Sequence, residues 1–595
     1  MDTTARLASG LTSFGEFPPA TEAQWRKAAE AALKGGGFGK LISRTHDGIA
    51  IQPLYSGPVS PTARALRQKP GAWQVAARVD HPDPGEANAL AVAELEGGAS
   101  ALALVFAGSP GACGFGLQAD TVEALDTALA KVEIDLIGIR LDPAGSGLET
   151  ARLFAGLVAR RALVPSTLDL DFGCDGTRED AAELARLARD LSDAGYSGTT
   201  FTADGRRFHA AGASEAQELA GVLANAVQTL RLLQSHRFTM DGARRNIAVL
   251  LAADADEYLG IAKFRALRRL WARVEEACGL VPRPVRLHAE TSWRMKTRHD
   301  PYVNVLRAGI GVFAAAIGGA DAIVALPFTQ ALGLPDAFAR RLARNGQLVL
   351  LEEAHLAKVA DPAAGAGGIE ALTAELCEKA WAMFRQIEKA GGVAASDLPR
   401  LIAATAESRA SAIATRRDAL TGTSAFANLA EQLVEVRMPL PPGTPPRISA
   451  PFEALRDRAD VLKAAGKAPR IALACLGDRA AFAARQNFAS SVFAAGGIES
   501  VLCAGEDVAA RVRASKTALV CICGSDAACE SDAAVLAEAL RGHVAAIALA
   551  GRAGAREAAF KAAGISRFIH AGGDVVAELD HALRVLETTS AGVPA

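Results

Sequence analysis

The sequence has 595 residues, with 64 Lys and Arg against 66 Asp and Glu, and a formal net charge of −2. So balanced a charge creates no field that would gather nucleic acid or an anionic membrane, and a hydrophobic content of 50% excludes global disorder. The length predicts one large barrel with a smaller domain, or about three or four domains of ordinary size. Only four residues are tyrosine, so few phenolic hydroxyls are available for chemistry.

Nine cysteines are spread along the chain without the dense pairing of a secreted protein, which indicates a reducing cytosol. The one cluster, Cys521, Cys523 and Cys529, lacks the second pair that a zinc site needs, and it is typical of a buried strand. No metal site is therefore predicted. No apolar run approaches the ~20 residues that span a bilayer, and the residues after Met1 do not resemble a signal peptide. We expect a cytoplasmic protein with no membrane contact.

Residues 1–60 are predicted to form an arm that could wrap around a partner chain. Thr21 can cap a helix that runs to about Leu33, and the glycines that begin at Gly35 would end it. An extended segment at residues 48–55 follows.

Short apolar runs alternate with helical patterns across residues 61–395. Strict alternation of strands and helices implies right-handed crossovers and a parallel sheet. Eight such units match a (β/α)8 TIM barrel in number and in size. The predicted strands span residues 72–79, 101–106, 136–141, 167–172, 198–202, 247–251, 285–288 and 322–326.

A helical belt is predicted to follow the eighth strand. Residues 396–466 are interpreted as a helical and proline-rich linker, because the segment 438–446 contains five prolines, which exclude a helix or a central strand. The helices that follow the barrel are expected at residues 335–351, 369–390, 396–417 and 426–436.

Apolar runs again alternate with helical patterns in residues 467–595. Five apolar runs separated by helical patterns predict a small doubly wound α/β domain of the flavodoxin-like type. These strands are expected at residues 471–475, 500–503, 518–523, 544–549 and 567–570.

Several motifs resemble the methylmalonyl-CoA mutase family of adenosylcobalamin-dependent isomerases. They occur in order and at matching spacing over about residues 45–435, whereas the C-terminal domain matches by architecture alone. The motifs are Gly48-Ile49 with Pro53-Leu54-Tyr55, Phe208-His209 with Ala211-Gly212-Ala213, Lys263-Phe264-Arg265-Ala266, Glu290-Thr291-Ser292 with Asp300-Pro301-Tyr302, and Ala331-Leu332-Gly333-Leu334-Pro335 through Ala343-Arg344-Asn345 to Asp361-Pro362.

The resemblance implies a barrel that encloses an acyl-CoA along its axis and a C-terminal domain of cobalamin-binding type. It further implies a radical rearrangement that interconverts succinyl-CoA and methylmalonyl-CoA, in which the cofactor carries out the difficult chemistry.

The C-terminal domain departs from the family pattern at three places. The family has Asp-x-His-x-x-Gly after the first strand, whose histidine binds cobalt, but residues 476–482 read LGDRAAF and contain no histidine. Cys523-Gly524-Ser525-Asp526 replaces a Ser-x-Leu segment, and Ala550-Gly551-Arg552-Ala553 replaces a Gly-Gly pair. The resemblance therefore implies a degenerate domain without cofactor-binding residues, and adenosylcobalamin bound by a partner.

The barrel also departs from the pattern of active members. Phe208 stands where those members have a tyrosine, and residues 173–178 replace the segment that holds the substrate carboxylate. Arg178 is a conceivable substitute, although its acidic neighbours favour a solvated face. None of the four tyrosines falls where the two active-site tyrosines of the family belong.

Three residues are candidates for remaining catalytic chemistry. His209 is a vestigial candidate for an acid, and the alternative is a histidine held by hydrogen bonds at the barrel mouth. His288 and Glu290 are weaker candidates. Their spacing of two places both on one strand face, where they could form either an acid–base pair or structural hydrogen bonds.

The fourth predicted strand carries an unusual polar face. Thr167, Asp169 and Asp171 share one side of it. If they point inward they could pair with Arg140 across the barrel. Such pairing would fill the axis instead of opening it to a CoA chain.

A chain with these losses resembles the small (beta) subunit of the heterodimeric mutases, which pairs with a large (alpha) subunit that binds substrate and cofactor. The expected function is therefore that of a noncatalytic subunit. Two alternatives stay open. One is a variant acyl-CoA mutase with its own working barrel, and the other is a stand-alone acyl-CoA binding or sensor protein.

Overall fold

In the part of the chain that the structure describes, eight parallel strands close into a barrel, as predicted. The structure is a computed structural model, and it describes residues 20–55, 67, 71–432 and 434–589. The strands are β1 (Gln74–Val79), β2 (Ala101–Val105), β3 (Gly138–Asp142), β4 (Asp169–Cys174), β5 (Thr199–Asp204), β6 (Ile247–Ala253), β7 (Arg286–Thr291) and β8 (Ala322–Val324). β8 pairs with both β7 and β1, which closes the barrel.

The outward faces of the strands carry the main hydrophobic core. Leucine, valine and phenylalanine side chains from every second position pack against the surrounding helices and are almost fully buried. Those helices are Pro84–Glu96, Val122–Ala128, Leu148–Arg160, Ala181–Asp193, Arg206–Ala210, Glu215–Ser235, Met240–Arg245, Glu257–Ala277 and Val303–Ile317.

Two glycines, Gly173 and Gly198, allow the backbone of β4 to lie close to its neighbours β3 and β5. A Cβ atom at Gly198 would lie 1.6 Å from the Leu170 carbonyl oxygen, so no other residue fits just before β5. Gly173 has a φ of +67°, and the pairing of β4 with β5 shifts register between Asp171 and Cys174. This irregularity lies at the carboxyl end of β4, beside the barrel mouth.

The arm begins with the predicted helix, Glu22–Ala32. Thr21 and Gln24 form a capping box at its start. Beyond it Ser43–Arg44 pairs antiparallel with Ala50–Ile51. The rest of the predicted arm, residues 1–19 and 56–60, lies outside the described residues, and partner wrapping stays a prediction.

Helices follow the barrel as the sequence indicates, with one exception. The prediction of a helix at residues 426–436 is wrong, because the described residues of this segment are irregular. Phe426 adopts a φ of +56°, and the Glu431 carboxylate accepts hydrogen bonds from His299 and from the Asp300 N–H, so tertiary contacts outweigh helix propensity here. The observed helices are Ala337–Leu348, Gly367–Ala390, Leu398–Ala414 and Ala450–Ala464.

The proline-rich segment is held against the barrel. Met438–Pro439 pairs antiparallel with Gly333–Leu334, and the Leu440 N–H donates to the Leu332 carbonyl. It therefore lies on the carboxyl-terminal face of the barrel and carries the chain to the next domain.

The C-terminal domain is the predicted five-stranded parallel sheet, within residues 434–589. Its strand order, 2-1-3-4-5, is that of flavodoxin-like folds. The strands are β9 (Arg470–Cys475), β10 (Glu499–Cys503), β11 (Leu519–Cys523), β12 (Ala546–Ala550) and β13 (Ile565–Ile569), and the helices are Arg479–Ala495, Val508–Ser515, Asp526–Leu540, Glu557–Ala563 and Val575–Thr589.

Candidate functional site

The barrel axis is filled by a buried polar cluster, which we call the axial network. Its members come from β1, β3, β4, β5 and β7, from loops at the barrel mouth and from one outer helix. They are Gln74, Arg78, Asp80, Arg140, Asp142, Asp169, Asp171, Asp204, Arg206, Arg286, His288, Glu290 and Arg340.

The lower half of the axial network is organised by the carboxylates of β4. Asp171 is fully buried and accepts hydrogen bonds from Thr199 and from His288 Nε2, the latter at 2.8 Å. Its carboxylate also lies 2.7 Å from Arg286 Nε. Asp169 accepts from Gln74 at 2.8 Å and pairs with Arg286. Both aspartates point inward, which the sequence left open, and they pair with Arg286 instead of Arg140.

The upper half is organised by Arg206, which follows β5. Its guanidinium donates to Asp142 at 2.6 Å, to Glu290 at 2.9 Å and to Asp204 at 2.8 Å. Arg140 completes the group with a 3.4 Å contact to Glu290. One cation therefore holds three buried carboxylates at the carboxyl end of the barrel, where TIM-barrel enzymes bind their substrates.

The rim beside β1 is tied to the helix Ala337–Leu348. Asp80 accepts from Arg78 Nε at 2.6 Å and from Arg340 Nη2 at 2.7 Å. On the other wall of the axis Ala76, Ala101, Ala103 and Val324 form a small buried hydrophobic cluster. The residual cavity in the lower axis is about 10 Å³, room for about one water molecule.

Burial and ion pairing have opposite effects on the carboxyl pKa values of the network. Burial raises the pKa of Asp80, but Arg340 and Arg78 outweigh it and lower that pKa to about 2. At Asp171 burial is likewise outweighed by Arg286 and His288, which lower the pKa. The pKa of His288 is lowered by burial despite its contact with Asp171. Asp80 and Asp171 are thus held in the charged form by the basic side chains around them.

These shifts predict acid sensitivity. A carboxyl whose folded pKa lies below its unfolded value adds stability above pH ~4 and loses it as the pH falls toward 2. The Asp80 shift, from 3.8 to about 2, corresponds to about 2 kcal/mol. Urea unfolding followed by circular dichroism should give a falling free energy of unfolding between pH 4 and pH 2. The slope should be smaller in Asp80→Asn, and a flat profile in the native chain would contradict the ion-pair assignment.

His209 lies outside the axial network, on the short helix Arg206–Ala210. Its Nε2 is 2.8 Å from the Ser292 hydroxyl and 3.2 Å from Asp254, and its Nδ1 is 3.4 Å from Glu218. Lys263 donates to Glu218 at 2.9 Å, and every side chain of this group except Asp254 is nearly fully buried. His209 is therefore held between two carboxylates.

The other predicted residues are not brought together as a catalytic pair. His288 and Glu290 both face the axis, but His288 binds Asp171, whereas Glu290 binds Arg140 and Arg206. Arg178 is half exposed and pairs with Asp175 at 3.1 Å, on the solvated rim. The Phe208 ring packs against Gly221 of an outer helix.

Arg206 is the central residue that sequence reasoning missed. Its position directly after the acidic end of β5 was the available signal, since Asp204 and Arg206 flank a single glycine. The pairing with Asp142 and Glu290 joins residues 64 and 84 positions apart, so local patterns do not show it.

The carboxyl edge of the C-terminal sheet is occupied by side chains of the domain itself. Asp478 caps the helix Arg479–Ala495 by accepting from the Ala481 N–H at 2.9 Å. Arg485 from that helix reaches across the edge to Asp526, and its Nη1 lies 3.6 Å from the Cys529 sulfur. A Cβ at Gly551 would lie 3.0 Å from the same nitrogen. The space beside the Gly551 loop is therefore filled by Arg485.

Cys521 and Cys523 are buried on β11, and Cys529 is buried on the adjacent helix. Within the described ranges, no group of three or more His, Cys, Asp or Glu side chains is placed to hold a metal ion. None of the helices in those ranges combines the length and apolar character that a membrane span requires.

A closed (β/α)8 barrel with a charged axis, joined to a flavodoxin-like domain, defines a two-domain α/β class. A sequence model of the family described as methylmalonyl-CoA mutase matches residues 197–465. The methylmalonyl-CoA mutase small subunit of Streptomyces virginiae is 37% identical, over 96% of this chain and 98% of that protein. The chain therefore belongs to the methylmalonyl-CoA mutase family.

Other relatives support the same placement. The methylmalonyl-CoA mutase small subunit of Propionibacterium freudenreichii subsp. shermanii is 33% identical, over 87% of this chain and 86% of that protein. The methylmalonyl-CoA mutase of Cereibacter sphaeroides, whose name has no subunit designation, is 27% identical over 69% of this chain. Both small subunits thus match a larger share of the chain than this mutase does.

Proposed function

We propose that the chain is the small, noncatalytic subunit of a heterodimeric, adenosylcobalamin-dependent methylmalonyl-CoA mutase. Its partner would be a large (alpha) subunit that binds the cofactor and interconverts succinyl-CoA and methylmalonyl-CoA. We place it in the reducing cytosol, in keeping with nine cysteines that lack the dense pairing of a secreted protein.

The observation that carries the proposal is the filled axis. An acyl-CoA chain threaded along the barrel would have to displace Arg140, Asp171, Arg286 and His288, whose side chains are already held in ion pairs and hydrogen bonds. Removing one partner from a buried ion pair costs about 3–5 kcal/mol, so opening this axis is costly. A working barrel and an acyl-CoA sensor both need the axis open, and the network therefore argues against both alternatives.

The C-terminal domain supports the proposal that the partner subunit binds the cofactor. We infer that its residues do not fit a cobalamin, because Arg485 fills the space beside Gly551 and Asp478 is engaged as a helix cap. No histidine is present among residues 476–482 to bind cobalt. The fold that remains would serve as a packing surface in the heterodimer.

The decisive experiment compares the chain alone with the chain co-expressed with the large subunit. We expect the purified single chain to show no visible cobalamin spectrum after incubation with adenosylcobalamin and gel filtration, and no mutase turnover. Co-purification should give an equimolar complex with full turnover. Stoichiometric cobalamin in the isolated chain would refute the noncatalytic assignment, and acyl-CoA binding by the isolated chain in calorimetry would favour the sensor.

A further inference from the structure

A second cavity lies at the junction of the two domains, away from the barrel axis. It has a volume of about 630 Å³, in the range of small-molecule sites and far above the ~10 Å³ left in the axis. It is open to solvent on one side and is lined by the loop after the helix Arg206–Ala210, the helix Leu398–Ala414, the end of the proline-rich segment and the start of the helix Val575–Thr589. We call it the junction cavity.

The walls of the junction cavity are held in place by close packing. Gln217 donates to the Thr405 hydroxyl at 2.9 Å, which fixes the helix Leu398–Ala414 against the barrel. A Cβ at Gly212 would lie 2.5 Å from the Ala406 Cβ, so only glycine allows this approach. The facing surface is mainly apolar, and it is formed by Ala406, Ala410, Ile413, Pro446, Ile448 and Val576.

Three arginines and one aspartate face the junction cavity, and two of the arginines are neutralised. Arg294 pairs with Asp254 at 2.9 Å, and Arg447 pairs with Glu453 at 2.8 Å. Asp574 accepts from the Ala577 N–H at 3.0 Å and so serves as a helix cap.

Arg409 is the exception. Among the residues that the structure describes it forms no ion pair, and its one hydrogen bond is a 3.4 Å contact to the Ala213 carbonyl. Its Nε is buried without an acceptor. Burial, and then the nearby Arg294, lower its pKa. Glu215, Asp254 and Asp418 act in the opposite direction, but none of them forms an ion pair with Arg409. An unsatisfied buried donor is costly, and a ligand oxygen would remove that cost.

We propose that the junction cavity is a binding site for an amphiphilic organic anion, with an apolar body against the alanine and isoleucine walls and one carboxylate, sulfonate or phosphate on Arg409. This goes beyond the noncatalytic role, which assigns this chain no ligand of its own. The guanidinium geometry suits a bidentate oxyanion.

The test uses the full-length chain and 8-anilinonaphthalene-1-sulfonate, which has an aromatic body and one sulfonate. We expect saturable fluorescence enhancement at one site per chain, displaced by dodecanoate at least about tenfold better than by dodecanol, since a hydrogen bond to a charged group contributes about 1.5–3 kcal/mol. Arg409→Met should weaken binding of the probe by about tenfold or more. Ala410→Trp should abolish it by filling the cavity.

The matched control is Arg400→Met on the same helix. Arg400 is exposed and, among the residues that the structure describes, pairs only with Asp397, so this variant should bind the probe like the native chain. Absence of saturable binding, or equal binding by the native chain and both cavity variants, would overturn the proposal. Displacement of the probe by adenosylcobalamin would also overturn it, because the cavity would then be a cofactor site.

Discussion

Replacing Arg206 by alanine should destabilise the barrel by about 3–5 kcal/mol. The guanidinium is 11% exposed and is the shared partner of Asp142, Asp204 and Glu290, which approach it within 3 Å. Its removal leaves three carboxylates close together and partly or fully buried. They must then protonate, repel one another or draw water into the axis, and each course costs free energy.

Urea unfolding at pH 7 measures this effect. Arg206→Lys should fall between the native chain and Arg206→Ala, because an ammonium keeps the charge but cannot form the forked contacts. Arg178→Ala is the matched control from the same rim. Arg178 is half exposed and should contribute less than about 1 kcal/mol. If Arg206→Ala lowers the free energy of unfolding by no more than Arg178→Ala does, the axis would have to be open and hydrated.

The second large effect concerns the buried pair below His209. Lys263 and Glu218 are each 1% exposed and 2.9 Å apart. Lys263→Met should lower the free energy of unfolding by about 3–5 kcal/mol, because it removes the nearest cation from the buried Glu218 carboxylate. Burial raises the pKa of Glu218, but Lys263 and then His209 lower it to about 2. Glu218 also accepts from the Ala252 N–H at 3.0 Å, which further anchors the buried carboxylate.

A double-mutant cycle isolates the pair. In Lys263→Met with Glu218→Gln, the amide oxygen can still accept from Ala252 while the buried charge is gone, so the double variant should be more stable than Lys263→Met alone. We expect a coupling energy of about 2 kcal/mol, against about 0.4 kcal/mol for the exposed pair Lys561 and Glu557. Simple additivity of the two buried substitutions would refute the pairing.

Most of the fold could be predicted from local signals. The barrel strands recur as short apolar runs between helical patterns, and the observed bounds differ from the predicted ones by a few residues. Thr167, for example, belongs to a 3₁₀ turn before β4 instead of to the strand. The helix predicted at residues 426–436 is absent from the described part of that segment because hydrogen bonds from His299 and Asp300 set its conformation. No local sequence pattern encodes these contacts.

The candidate site was predictable only in part. Alternation along β4 and β7 predicted that Asp169 shares a face with Asp171 and that His288 shares a face with Glu290, but not that these faces line the barrel axis. The choice of partners was not accessible, since Asp171 and His288 are 117 positions apart in the chain. Arg485 was missed for the same reason. Its residue type is unremarkable on a helix, and only the folded domain brings it across the sheet edge to Asp526.

The sequence by itself determined the order of the elements, the family resemblance and the scarcity of tyrosine, because each is written in local periodicity or in motif order. Tertiary structure alone decided whether the barrel axis is open. That outcome depends on which buried charges meet after closure of the sheet, and a buried charge is stable only beside a partner. Here arginines and carboxylates from distant strands meet on the axis and fill it.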